Sequence, residues 1–170
     1  DGRWAVTLPA MHAATGLELR LEKDTGLGFT LHNVAIGDVW VCSGQSNMEM
    51  PLSACDTAEH DIAHAIYPDL RLRSVPTHVA QAPTRLITGE GWTECTPECA
   101  ASFSALAFHA GRVLIETERV PIGLIKAAVG ATPAESWVDR SVLDADPDYL
   151  PILERHKASV TAANLDIDAA

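Results

Sequence analysis

Positive charge is scarce in this sequence: 12 Lys and Arg stand against 23 Asp and Glu, for a formal net charge of -11. A surface of that sign repels nucleic acid unless a basic patch is set apart from it, and no Lys/Arg cluster longer than two occurs. Long apolar runs are missing as well. The stretch from Val120 to Val129 falls far short of the roughly 20 residues a membrane helix needs, so neither a nucleic acid nor a membrane is expected as a partner. Cysteine is present without metal-binding order. Cys95 and Cys99 lie four apart, Cys42 sits in an apolar run and Cys55 stands alone, with no Cys-x2-Cys pair or accompanying His. No metal and no cofactor are therefore expected. Cys42 reads as a buried strand residue, because free Cys behaves as a small hydrophobe. Cys95 or Cys99 could pair with Cys55 in an oxidising compartment, and spacing leaves that open. What remains is ordinary: 170 residues, 47% hydrophobic and 21% charged, enough chain to bury a core without staples. No signal peptide is visible, and the first residue is Asp1 rather than Met, which reads as a processed or excised piece.

Residues 1 to 35 read as strands. Trp4–Leu8 alternates, Leu17–Leu21 alternates cleanly, and Phe29–Ile36 is a third candidate, with Lys23-Asp24-Thr25-Gly26 as a hairpin turn. Three strands alone need another layer over their apolar face, so this segment reads as the tail of a larger β-sandwich-like domain. From residue 36 to 170 the pattern changes. Val39-Trp40-Val41-Cys42 is a continuous apolar run that suits a strand buried on both faces. Thr57–Ile66 has helical spacing with Ala58, Ile62, Ala65 and Ile66 on one side, and Leu70–Val75 reads as a strand. Ser102 or Ser104 could cap a helix to about Glu118 with Leu106, Ala110, Val113 and Leu114 on its inner stripe. Ile122–Val129 is another strand, and Ala158–Ala170 is a helix or a frayed end. Strand, helix, strand, helix, strand predicts a parallel α/β sheet.

Ligands of such sheets sit at the carboxyl ends of the strands. Two segments fall there: Ser43-Gly44-Gln45-Ser46-Asn47-Met48 and Gly130-Ala131-Thr132-Pro133. Gly44 permits a tight turn with positive φ, and Ser46 then begins a helix where N–H groups suit a developing oxyanion. This follows the logic of a nucleophile elbow without its G-x-S-x-G pattern, since Met48 stands where the second glycine would be. The small residues from Gly130 would let backbone N–H groups approach a substrate oxygen closely.

The block Gly37–Met50 (Gly-Asp-Val-Trp-Val-Cys-Ser-Gly-Gln-Ser-Asn-Met-Glu-Met) resembles the nucleophile block of the sialate O-acetylesterases, members of the SGNH hydrolase superfamily. Tyr67–Leu72, Phe103-Ser104-Ala105, Pro121–Ile125 and Gly130–Trp137 match in the same order, and Trp4–Met11 is similar to the end of the β domain that precedes the hydrolase domain there. The resemblance covers about residues 1 to 145. It implies a three-layer α/β/α hydrolase domain with a parallel sheet, of which this chain is the N-terminal part. It also implies Ser46 as the nucleophile that forms an acetyl-enzyme, with the Ser46 N–H and the Gly130 backbone on the oxyanion. Gln45, Asn47 and Thr132 would line the substrate, an O-acetylated sugar. A secreted, periplasmic or lysosomal location goes with the family.

Two departures stand out. The family usually has two glycines before the threonine, and Ala131 replaces the second; if that position needs positive φ, alanine is strained there. The family's base is the His of an Asp-x-x-His block, and a Gln-Gly-Glu block supplies another oxyanion donor, yet neither lies after Trp137. Asp61-Ile62-Ala63-His64 spells the first pattern but sits in a helix shortly after Ser46 and reads as a decoy. His109 reads as a core or boundary imidazole, and Glu49, Asp56 and Glu59 as a solvated acidic face. Trp40 and Trp137 could pack a sugar ring, though Trp beside a buried strand is more often core. The isolated chain is thus expected to be inactive, its Asp/His pair carried by a second chain or missing. Two rivals remain: an acetyl xylan esterase-type polysaccharide deacetylase, and a non-catalytic sugar-binding or structural module.

Overall fold

The computed structural model of the chain describes residues 5–78 and 89–162. Residues 5–13 carry no regular structure, so the strand expected over Trp4–Leu8 does not form in its described part, and Trp4 itself lies outside the described residues. Val6 and Leu8 are exposed, with no strand beside them among the described residues to bond their backbone. The next two strands form as expected and slightly longer. β1 (Ala14–Glu22) and β2 (Gly28–Ile36) make an antiparallel hairpin with Leu19 opposite Leu31 and Leu21 opposite Phe29. The Gly26 N–H donates to the Lys23 carbonyl at 2.8 Å and closes the turn.

A second sheet holds four strands: β3 (Asp38–Gly44), β4 (Tyr67–Ser74), β5 (Thr93–Cys95) and β6 (Ile122–Ala128). Their spatial order is β3-β6-β4-β5, with β3, β6 and β4 parallel and β5 antiparallel at the edge. The parallel α/β arrangement read from the sequence is therefore present. β5 was not foreseen, because a three-residue strand leaves no periodicity to read.

The helices are α1 (Ser46–Glu49), α2 (Ala58–Ala63), α3 (Pro97–Ser102), α4 (Ala105–Glu118), α5 (Arg140–Ala145) and α6 (Leu150–Ala162). Of the two serines proposed as caps, Ser104 caps α4: its Oγ accepts the Ala107 N–H at 3.2 Å. α4 lies on the sheet, and Phe108 packs with Leu52, Leu70, Leu72, Ile122 and Leu124 in one buried core. Its inner face is not the expected stripe. Ala105, Ala107, Phe108 and Gly111 are buried, Leu114 is half-buried, and Leu106, Ala110 and Val113 face outward. The reason is proximity: a Cβ on Gly111 would lie 2.7 Å from Leu124 Cδ1, so only small residues let the helix approach this closely.

α2 is shorter than its spacing suggested. Ala65 is fully buried, but Ile66, expected on the inner side, is exposed. The larger correction concerns β3. Its sequence suits a strand covered on both faces, yet Val39, Trp40 and Val41 are 60%, 48% and 68% exposed. β3 is an edge strand whose outer side bonds to nothing in the described residues. Cys42 is half-buried against the core rather than enclosed. All four cysteines are free thiols, and burial, with Cys99 beside it, pushes the Cys95 thiol up to about 12.

Candidate active site

The two segments expected to carry chemistry meet because their strands are neighbours. Gly44 stands opposite Ala128 in the parallel β3–β6 register, and the Val129 N–H donates to the Gly44 carbonyl at 3.1 Å. Gly44 has φ 152°, and a Cβ there would lie 3.3 Å from Met48 Cβ, which accounts for glycine at the turn. The chain then enters α1 directly at Ser46.

Ser46 is exposed at the carboxyl end of β3. Its Oγ donates to Gln45 Oε1 at 2.7 Å, and its N–H donates to the same oxygen at 2.9 Å. Gln45 thus caps the serine instead of reaching away from it. Asn47 is exposed on the next position. Met48 turns inward: the Ser104 hydroxyl lies 3.5 Å from its sulfur, and the thioether packs against the core. That contact gives a physical reason for methionine where a nucleophile elbow has its second glycine. Two further bonds fix the block to the start of α4, from the Leu52 N–H to the Phe103 carbonyl and from the Ala105 N–H to the Met50 carbonyl, both 2.9 Å.

The loop after β6 supplies the opposite wall. The Ala131 N–H points at Ser46 Oγ at 3.5 Å. Ala131 adopts φ 59°, the left-handed conformation that the sequence raised as a source of strain. The Gly130 N–H does not face the serine oxygen; it donates to Glu49 Oε2 at 2.7 Å. Glu49, read from the sequence as part of a solvated face, therefore belongs to the site. The signal available was its position three residues after Ser46, on the same side of a helical turn. Thr132 turns its hydroxyl to the Val129 carbonyl at 2.7 Å and accepts the Trp137 Nε1–H at 2.9 Å, so it braces the loop. Glu135 bonds Arg155 at 2.8 Å; its own backbone N–H first, and then Arg155, hold its carboxyl below the usual range.

Among the described residues, no imidazole contacts Ser46. His64 Nδ1 lies 2.7 Å from the His60 carbonyl, within its own helix end. Asp61 is buried between α2 and α4, where it takes the Thr57 hydroxyl, Arg112 at 3.1 Å and His109 at 3.8 Å. The Thr57 hydrogen bond, and after it His60, His109 and Arg112, hold Asp61 below its ordinary value against the opposing effect of burial. The Asp61–His64 pattern thus serves helix packing, and no group of three or more metal-binding side chains occurs among the described residues.

No family profile matches the chain. Individual proteins do. It is 35% identical over 145 residues to the sialate O-acetylesterase of Pongo abelii, 34% over 145 to that of Homo sapiens and 33% over 155 to that of Rattus norvegicus. These matches take in 79%, 79% and 84% of the chain but 28% of each relative, so the chain spans just over a quarter of their length. Among solved structures, a carbohydrate acetylesterase from Xanthomonas citri superposes with a TM-score of 0.80 at 34% identity, over 84% of this chain and 33% of that one.

Proposed function

The chain is a homologue of the sialate O-acetylesterases, and from that premise we propose that it carries the nucleophile part of a carbohydrate O-acetylesterase, with Ser46 attacking the acetyl carbonyl. The observation that carries this reading is the opposition of Ser46 Oγ and the Ala131 N–H across the ends of two adjacent parallel strands. A hydroxyl there has a donor in place for the oxygen of a tetrahedral intermediate. The Ser46 Oγ–carbon bond forms as its proton passes to a base; the sugar oxygen then leaves with a proton, and water hydrolyses the acetyl-enzyme. Gln45, Asn47 and Thr132 belong to the rim of this site. The three-layer SGNH architecture, and residues 1–35 as the tail of a preceding β domain, are part of the same reading.

The base is placed outside these 170 residues, as an Asp–His pair on a further segment or a second chain. Two observations support that placement: the lack of an imidazole at Ser46 among the described residues, and the uncovered apolar faces of β3. The test is hydrolysis of a simple acetyl ester by the 170-residue chain, beside Ser46→Ala and a form extended toward the length of its relatives. We expect no Ser46-dependent turnover from the chain alone and Ser46-dependent turnover from the extended form. Turnover by the chain alone, abolished by Ser46→Ala, would place the base inside it. Silence from both forms would favour a non-catalytic sugar-binding module. Comparing acetylated sialic acid with acetylated xylan as substrates then separates the two esterase readings.

A further inference from the structure

We propose that Glu49 is a positioning residue that gives the oxyanion contact of the β6 loop to Ala131 rather than to Gly130. The inference rests on Ser46 being the nucleophile. An N–H already bonded to a carboxylate is not free for a second anion, and the Gly130 N–H donates to Glu49 Oε2 at 2.7 Å. The contact is close: a Cβ at residue 130 would lie 2.5 Å from the same oxygen, so a side chain there would push the Glu49 carboxylate aside. Tethering Gly130 fixes the peptide that leads into Ala131, whose N–H faces Ser46 Oγ at 3.5 Å, and Ala131 itself adopts φ 59°. Alanine does not choose that conformation, which costs on the order of 1–2 kcal/mol. It has to be imposed from outside. Glu49 holds the loop from the α1 side, and the Val129 N–H on the Gly44 carbonyl and the Thr132 hydroxyl on the Val129 carbonyl hold it from behind. Glu49 therefore acts through Ala131 and not on the substrate.

The test measures kcat and KM for an acetyl ester in whichever form shows Ser46-dependent turnover, for Glu49→Ala, Glu49→Gln and Ser46→Ala. Glutamine keeps an acceptor oxygen for the Gly130 N–H; alanine does not. Glu49→Ala should lower kcat about 100-fold with KM changed less than about 3-fold, because displaced donors act on the transition state. Glu49→Gln should recover kcat to within about 10-fold of the parent, as a charge-assisted bond gives way to a neutral one. An unchanged kcat in Glu49→Ala would overturn the proposal, as would a fall in kcat that follows lost melting temperature equally in both variants. A second measurement needs no activity: amide hydrogen exchange at Gly130 in the 170-residue chain. Protection lost in Glu49→Ala and kept in Glu49→Gln is the expected result, and protection unchanged in Glu49→Ala overturns it. Activity that survives Ser46→Ala would instead sink the nucleophile reading while leaving the exchange result standing.

Discussion

Relieving the left-handed alanine beside the serine should be measurable. Ala131→Gly removes a penalty of about 1–2 kcal/mol, and the greater freedom of glycine in the unfolded chain returns about 0.4–1 kcal/mol of it. The net expectation is a gain of about 0.5–1 kcal/mol, seen as a melting temperature about 1–4 °C higher. A decrease would mean that the alanine methyl makes packing contacts worth more than the strain. Asp61 offers a second reading at this scale. Its folded pKa lies below its ordinary value of 3.8, so its contribution is fully present above that value and is lost as pH falls through the lower folded one. Asp61→Asn should therefore be less stable than the parent at neutral pH and lose less of its remaining stability in acid titrations followed by circular dichroism. Parallel acid profiles in the two proteins would contradict this. The same scale shows how far the sequence could be read. The turn that carries Ser46 was legible because a glycine after an apolar strand announces one, while the nucleophile role came from the family resemblance; Glu49 was read as solvated because its spacing from Ser46 does not reveal the backbone N–H it pairs with.

Among the elements, β3 and α4 show two different ways in which hydrophobicity misleads. The Val39–Cys42 run was correctly a strand and incorrectly an enclosed one. Its composition answers to a covered position, but within the described residues nothing pairs its outer side. An uncovered apolar edge of this kind favours self-association. Val41→Lys should lower the apparent mass of the isolated chain in concentration-dependent sedimentation, with its circular dichroism spectrum kept; a mass that stays concentration-dependent would exonerate the edge. In α4 the large apolar residues suggested the wrong face. Burial there goes to Ala105, Ala107, Phe108 and Gly111 because the helix sits so close to Leu70 and Leu124. Phe108→Ala should cost about 3–5 kcal/mol in denaturant titration, whereas Leu106→Ala, on the exposed side, should fall within about 0.5 kcal/mol of the parent. Equal losses would reverse the assignment of faces.

Taken as a whole molecule, the chain joins a small hairpin to a four-stranded sheet whose two edges are unlike. One edge is closed off by β5, three residues long and antiparallel, with Arg71 and Glu94 paired at 3.1 Å beside it. A short, charged, reversed strand is a poor template for further pairing. The opposite edge is β3, long, apolar and parallel to its neighbour β6. The sheet consequently has a direction of growth, and it points toward the serine. Any strand laid alongside β3 in the same sense delivers its own carboxyl end next to Ser46, so a residue one step beyond that strand arrives within the site without further design. Completing the layer beside β3 and furnishing the serine with a neighbour would then be one geometrical event.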